Sequence, residues 1–422
     1  QEQAGELEAA LQTLTDLVKQ HPSTSNLDEV QFRRGELAFS LGQYAVAEPA
    51  YLSLVRPDHA NAFRDRAMYM LGWSRFKQGQ FDAALQTYFN VLDAKLAAAP
   101  GSQKLSTPDR FNRADRELLS DTFRGVSLSL SNLKGAESIA AYTPASKPLR
   151  QAYALFVFEQ LGEFYAKQDK HKEAGDTYNL FVKLNPLDTQ APRIQGLAID
   201  AYDRADQAAL ALEAKKQFVN LFGRESGLRM GNAKTWRQAQ PRVQTCLNDL
   251  ARHYHAQAQS SKNPQDYREA VNWYRELLNT FPNDTQVVRT NFLLAEALFE
   301  SGVYGEAAVE YERVAYDYPW HDKAAEAGYA ALLSHAKMRK DADPLTLSRL
   351  QRAAVMSALR FAKTFPGNER SPQVMTDAAE QLYALKDGDQ AGRVAMKIID
   401  LKPPATEAQR RVAWTILAHT AY

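Results

Sequence analysis

The sequence predicts an all-α fold, an α-solenoid of stacked antiparallel helix pairs, on three observations. An alanine followed four residues later by tyrosine recurs at Ala47 and Tyr51, Ala84 and Tyr88, Ala174 and Tyr178, Ala270 and Tyr274, and Ala307 and Tyr311. The alanines keep a 37-residue period, since Ala10, Ala47 and Ala84 are 37 apart, as are Ala270 and Ala307, and Ala354 and Ala391. A second small residue, Gly35, Gly72, Gly162 or Ala295, stands twelve positions before the anchor. A fixed period of this length means that each unit is one supersecondary element that cannot bury its apolar face alone and stacks on its neighbours.

Within a unit the first helix ends at a glycine turn that leads into an aromatic residue, as in Gly42-Gln43-Tyr44, Gly79-Gln80-Phe81 and Gly302-Val303-Tyr304. The second helix carries the alanine and tyrosine, and small residues at both points let the two helices approach. Prolines twelve residues after the anchor, Pro22, Pro186, Pro282, Pro319, Pro366 and Pro403, close many units. Proline cannot continue a helix and suits the first turn of the next one.

In chain order, residues 1–94 read as N-terminal units with the first truncated, because only nine residues precede Ala10. Residues 95–150 read as a loop over 95–112 and a divergent helix pair over 113–141, with Gly125 and Ala136 as its small contacts. Residues 151–222 hold one regular unit and a degenerate one near Ala211. Residues 223–240 read as a loop, and 241–422 as C-terminal units interrupted by a turn at Ser260-Ser261-Lys262-Asn263-Pro264 and a loop at Arg339–Pro344. Trp414-x2-Leu417-Ala418 reads as the opening of a further unit, two residues later than strict period. Both ends thus read as cut from a longer repeat protein. Insertions in such arrays map to loops on one face, which either binds or drifts freely.

Composition excludes several functions. Lys plus Arg number 51 against 50 for Asp plus Glu, so there is no excess positive charge to hold nucleic acid or an anionic membrane. The single cysteine, Cys246, cannot form an internal disulfide or a cysteine-rich zinc site. No apolar run is long enough to span a bilayer, and the N-terminus lacks a basic-then-apolar leader pattern.

The order Phe158-x2-Leu161-Gly162-x2-Tyr165, then Ala174-x3-Tyr178 and Pro186, resembles the tetratricopeptide repeat. Residues 288–319 resemble it as well, through Leu294, Ala295, Gly302, Tyr304, Ala307, Tyr311 and Pro319. The sequence departs from the family in its period of 37 and in links such as His21-Pro22-Ser23, Phe281-Pro282-Asn283 and Phe365-Pro366-Gly367-Asn368. These features are similar to the long repeats of bacterial cell-envelope members, which implies a periplasmic or envelope setting, with a cytoplasmic one as the alternative.

The resemblance further implies a groove lined by the first helices, at positions three before, one after and four after the small residue. Those positions hold Phe32, Glu36 and Phe39, then Tyr69, Trp73 and Phe76, and near the C-terminal end Phe292, Glu296 and Phe299. Aromatic residues beside charges suit a protein or peptide partner; the competing reading is that the aromatic stripe is core. Chaperone-docking members hold a carboxylate with Lys and Asn, and Phe32, Glu36, Tyr69 and Trp73 do not form that clamp.

No phosphate-binding glycine loop, dinucleotide fingerprint or HExxH zinc motif occurs. His253 and His255, two apart on a helix, point to different sides. Cys246 reads as a structural thiol, and Glu296 with Glu300 as a solvated face rather than an acid–base pair. No catalytic residue, cofactor or metal is therefore expected. The sequence reads as a protein-interaction scaffold, or as the non-catalytic arm of a larger enzyme or export machine.

Overall fold

The computed structural model of the 422-residue chain describes residues 2–56, 58–97, 111–226, 231–340 and 343–420. Among them are twenty α-helices and no strand. In chain order they are α1 (Glu2–Gln20), α2 (Leu27–Ser40), α3 (Tyr44–Leu54), α4 (Arg64–Lys77), α5 (Phe81–Ala97), α6 (Arg113–Ser131), α7 (Ala136–Tyr142), α8 (Pro148–Ala166), α9 (His171–Leu184) and α10 (Ala191–Arg204). There follow α11 (Ala208–Phe222), α12 (Ala233–Ser261), α13 (Pro264–Thr280), α14 (Val287–Glu300), α15 (Tyr304–Tyr316), α16 (Ala324–Lys340), α17 (Pro344–Thr364), α18 (Ser371–Ala384), α19 (Gly388–Ile399) and α20 (Glu407–Thr420). The chain divides into two compact units, one of residues 1–222 and 227–239, the other of 223–226 and 240–422.

In the first unit each helix packs on its neighbours in sequence, and glycine decides how closely. A Cβ on Gly35 would lie 2.6 Å from the Tyr51 ring, and one on Gly72 2.5 Å from Tyr88. Tyr88 is wedged twice, because a Cβ on Gly125 of α6 would lie 2.6 Å from the same ring. Tyrosine therefore fills the space between successive first helices, and a methyl group there has no room.

The hairpin turns share one chemistry. The N–H five residues past the last-turn carbonyl donates back to it in Gln43 to Ala38, Gln80 to Arg75, Lys170 to Tyr165, Gln207 to Tyr202, Val303 to Leu298 and Asp387 to Leu382. This Schellman closure needs one left-handed residue. Gly42, Gly79 and Gly302 supply it in three turns, while Asp169, Asp206, Lys262 and Lys386 adopt positive φ elsewhere.

The links between units use side-chain oxygens. Asp188, Asp284 and Asn368 accept the N–H two residues on, from Gln190, Gln286 and Arg370. Pro186, Pro282 and Pro366 lie in these links, five residues before the next helix starts. They end the preceding helix, and the first-turn role falls instead to Pro148, Pro192, Pro264 and Pro372.

The insertions differ from loops where they are described. Residues 98–110, read as most of the loop 95–112, and 227–230 and 341–342, within other stretches read as loop, lie outside the described residues. Helix α12 begins at Ala233, inside the stretch 223–240, because Asn232 accepts the Thr235 N–H and caps it; Pro241 is then carried within the helix. The extra length near 339–344 goes into longer helices, 17 residues in α16 and 21 in α17 against 14 and 13 in α14 and α15. In α20 the buried residues are Ala413 and Ile416, whereas Trp414 is 58% exposed and Ala418 is exposed. Ile416 lies 37 residues after Ala379, so the strict period holds and the tryptophan motif marks the wrong face.

Candidate functional site

The first-helix face of the N-terminal unit begins at Phe32, which is only 2% exposed. Phe32 stacks on Phe63 at 5.0 Å and meets Tyr51 edge-on at 6.0 Å, with the Arg66 guanidinium 5.4 Å from its ring. Glu36, half-buried beside it, pairs with Arg33 and Arg66, both at 3.2 Å. One unit on, half-buried Trp73 packs edge-on against Tyr69 (6.4 Å), Phe76 (5.5 Å) and Tyr88 (6.2 Å), and Arg124 stands 5.9 Å from its ring. The face thus alternates aromatic rings with ion-paired or ring-stacked charges.

The aromatic residue four positions after the small residue has one role in three hairpins. Phe39 meets Tyr44 at 5.1 Å, Phe76 meets Phe81 at 5.3 Å, and in the C-terminal unit Phe299 meets Tyr304 at 5.2 Å, all edge-on. Each ring closes its own hairpin against the first residue of the second helix. At α18 the corresponding ring is Tyr383, but α19 begins with Gly388, so Tyr383 is 42% exposed and leans on His419 at 5.9 Å instead.

In the C-terminal unit, half-buried Phe292 packs on Tyr311 at 5.7 Å with Lys323 5.8 Å from its ring. Burial raises the Glu296 carboxyl above its ordinary range, with Glu326 and Glu300 adding to the shift and Lys323 opposing it. Lys323 pairs with Glu326 at 2.6 Å.

The residues set aside in the sequence fall into place. His255 is buried and its Nδ1 lies 3.0 Å from the Tyr274 hydroxyl, and burial lowers its pKa; His253 is exposed. Cys246 is buried. Among the described residues no group of three metal-ligating side chains converges.

Two polar clusters escaped the sequence reading. Arg150 of α8, 3% exposed, donates to Asp93 of α5 at 2.8 Å through Nε and lies over Phe89, while the Tyr153 hydroxyl donates to the same carboxylate at 2.7 Å. Glu312 of α15 accepts from Ser357 of α17 at 2.5 Å and faces His335 of α16 at 3.5 Å and Arg360 at 3.9 Å. The His335 hydrogen bond, then Ser357 and Arg360, hold that carboxyl below its ordinary range against the opposing effect of burial. Serine here bonds the carboxylate rather than the imidazole, so the set ties three helices and activates no nucleophile. Each cluster joins an i, i+3 pair on one helix, Arg150 with Tyr153 and Ser357 with Arg360, to a carboxylate on another helix at no spacing the repeat fixes, and no sequence signal announces them.

A tetratricopeptide repeat family model matches residues 1–62 and 32–102, and the YfiO outer membrane lipoprotein model matches residues 248–400. No curated protein matches the chain. Similar solved structures include the P58(IPK) TPR domain, 15% identical over 90% of this chain and 95% of that one with a TM-score of 0.24. The C-terminal part of a TPR repeat-containing protein from Cytophaga hutchinsonii is 14% identical over 68% and 94%, with a TM-score of 0.25. The apo form of RapI is 11% identical over 88% and 97%, with a TM-score of 0.25. With the tetratricopeptide match over residues 1–102, the YfiO-type match over residues 248–400 and the same closed helix pair in both units, the chain is an array of tetratricopeptide-like repeats.

Proposed function

We propose that the chain is a protein-binding scaffold of a bacterial envelope complex, positioned in the periplasm, and that its first-helix face receives the partner. The observation that carries this reading is the half-buried aromatic rings and charges on the first helices of each unit, Glu36 and Trp73 in the first and Glu296 in the second. Phe39, Phe76 and Phe299 line it while closing their hairpins, and Phe32 and Tyr69 support it from beneath. Phe292 presents its Lys323-capped ring. Aromatic rings with adjacent charge give a partner both desolvated contact area and hydrogen bonds. The YfiO-type match over residues 248–400 supports the envelope setting. Among the described residues no helix is long and apolar enough to cross a membrane.

The test is photo-crosslinking in cells with a benzophenone amino acid at positions 36, 73 or 296, against position 309 on the exposed outer side of α15. Crosslinks to one protein from the first-helix positions alone, in the periplasmic or outer-membrane fraction, support the reading. Crosslinks equal at 309, or confined to cytoplasm, overturn it.

A further inference from the structure

The third helix pair of the N-terminal unit lacks the residue that seals the others. In regular pairs the tyrosine four positions after the second-helix alanine fills the space between first helices, as Tyr88 does between Gly72 and Gly125. Helix α7 has seven residues and starts directly after Gly135, whose N–H closes the turn on Leu130, so the alanine and tyrosine positions of a regular pair fall on Ile139 and Thr143, both buried. First helices α6 and α8 therefore meet without a tyrosine between them. Phe123 and Phe156 touch edge-on at 4.6 Å instead. Beside this contact lies a cavity of about 310 Å³, walled by Leu96, Leu119, Phe123, Tyr153 and Phe156, with Arg116, Ser120 and Gln160 as its polar lining at the mouth. The Tyr153 hydroxyl is engaged by Asp93, so the wall it offers is the ring face.

We propose that this cavity is a binding site for one bulky apolar side chain, aromatic in the first instance, presented by the protein partner. The inference rests on the scaffold reading above and names the chemistry the partner must carry. The inner wall is rings and leucines, which reward an apolar group by its desolvated area, while the charged Arg116 stands at the exposed side. Ser120 is exposed and Gln160 half-buried, so each has a polar group available to a peptide backbone passing the mouth. A volume near the lower end of ligand pockets admits one side chain rather than a folded segment.

The full chain is titrated with the neutral fluorophore N-phenyl-1-naphthylamine. One saturable site is expected, displaced by a tryptophan-centred glycine-serine hexapeptide and not by its alanine counterpart. Ser120→Trp, which plugs the mouth from an exposed position, weakens the probe at least about tenfold with helical circular dichroism unchanged. Should that variant melt early, Gln160→Trp repeats the plug from the opposite wall. Absence of a saturable site, equal affinity in the plugged variants, or displacement by decanoate but not by the tryptophan peptide overturns the proposal. Partner crosslinking without probe binding removes this site and leaves the scaffold reading intact; probe binding without any crosslinked partner removes the peptide source.

Discussion

At Tyr51 and Tyr88 the buried hydroxyls have no hydrogen-bond partner, whereas Tyr153 donates to Asp93 and Tyr274 meets His255. One buried side-chain type thus has opposite energetic consequences according to whether its hydroxyl finds a partner. Tyr51→Phe and Tyr88→Phe are expected to be neutral or stabilising, because each removes a desolvated hydroxyl that gains nothing. Tyr153→Phe is expected to lose about 1.5–3 kcal/mol, the range for a hydrogen bond to a charged group, in urea unfolding. Glu296 gives a pH test. Its carboxyl is raised in the fold above the ordinary value of 4.5, so the folded state holds its proton more tightly than the unfolded one. Its stabilising contribution is present below 4.5 and lost as pH rises through the raised value. Glu296→Gln is therefore expected to be the more stable protein at pH ~7, with the difference disappearing in acid, as read by thermal melts across pH.

At the scale of the element, one turn geometry is made with different residues. Lys386 holds a φ of 61° at the position that Gly42, Gly79 and Gly302 occupy. Side chains resist that region by about 1–2 kcal/mol, partly offset by the greater freedom of unfolded glycine. Lys386→Gly is expected to raise stability by about 0.5–1 kcal/mol in denaturant titration, and an unchanged midpoint counts against a strained turn. The converse test is Gly125→Ala. Its methyl group meets the Tyr88 ring, which Gly72 already confines from the other side, so overpacking of about 1–3 kcal/mol is expected. Small residues in these helices are thus set by the neighbour's tyrosine rather than by helix propensity.

At the scale of the whole molecule, the array is held by nearest-neighbour contacts, and its divergent third pair is held by an ion pair instead of a wedge. Arg150 reaches back from α8 to Asp93 on α5 across the short α7. Asp93→Ala leaves a guanidinium buried without its carboxylate and is expected to destabilise by about 3–5 kcal/mol. Hydrogen exchange is expected to rise in α5, α6 and α8, while amides of α14 to α16 keep their protection, because repeats stabilise only their neighbours. Loss of protection in both regions alike would show that the chain unfolds as one cooperative body.

The repeat pattern was legible because it reports contacts inside one pair. Gly35 and Tyr51, Gly72 and Tyr88, and Gly162 and Tyr178 are sixteen residues apart each time, and a fixed spacing in sequence is a fixed contact in space. Helix existence, turn position and the glycine–tyrosine core followed from that spacing. Trp414 misled because an aromatic residue in a helix states its own bulk and not which face its neighbours cover. Phe32 lies in the core, and Tyr383 stays open, for reasons located in Phe63 and Gly388, residues of other elements. The sequence by itself determined the helix pair, its period and its sealing tyrosine, since these depend on local spacing and side-chain volume. Only the tertiary structure decided which aromatic rings are covered, where Arg150 and Glu312 find their partners, and where the missing tyrosine of α7 leaves a cavity. Those outcomes depend on distances between residues whose separation along the chain obeys no period.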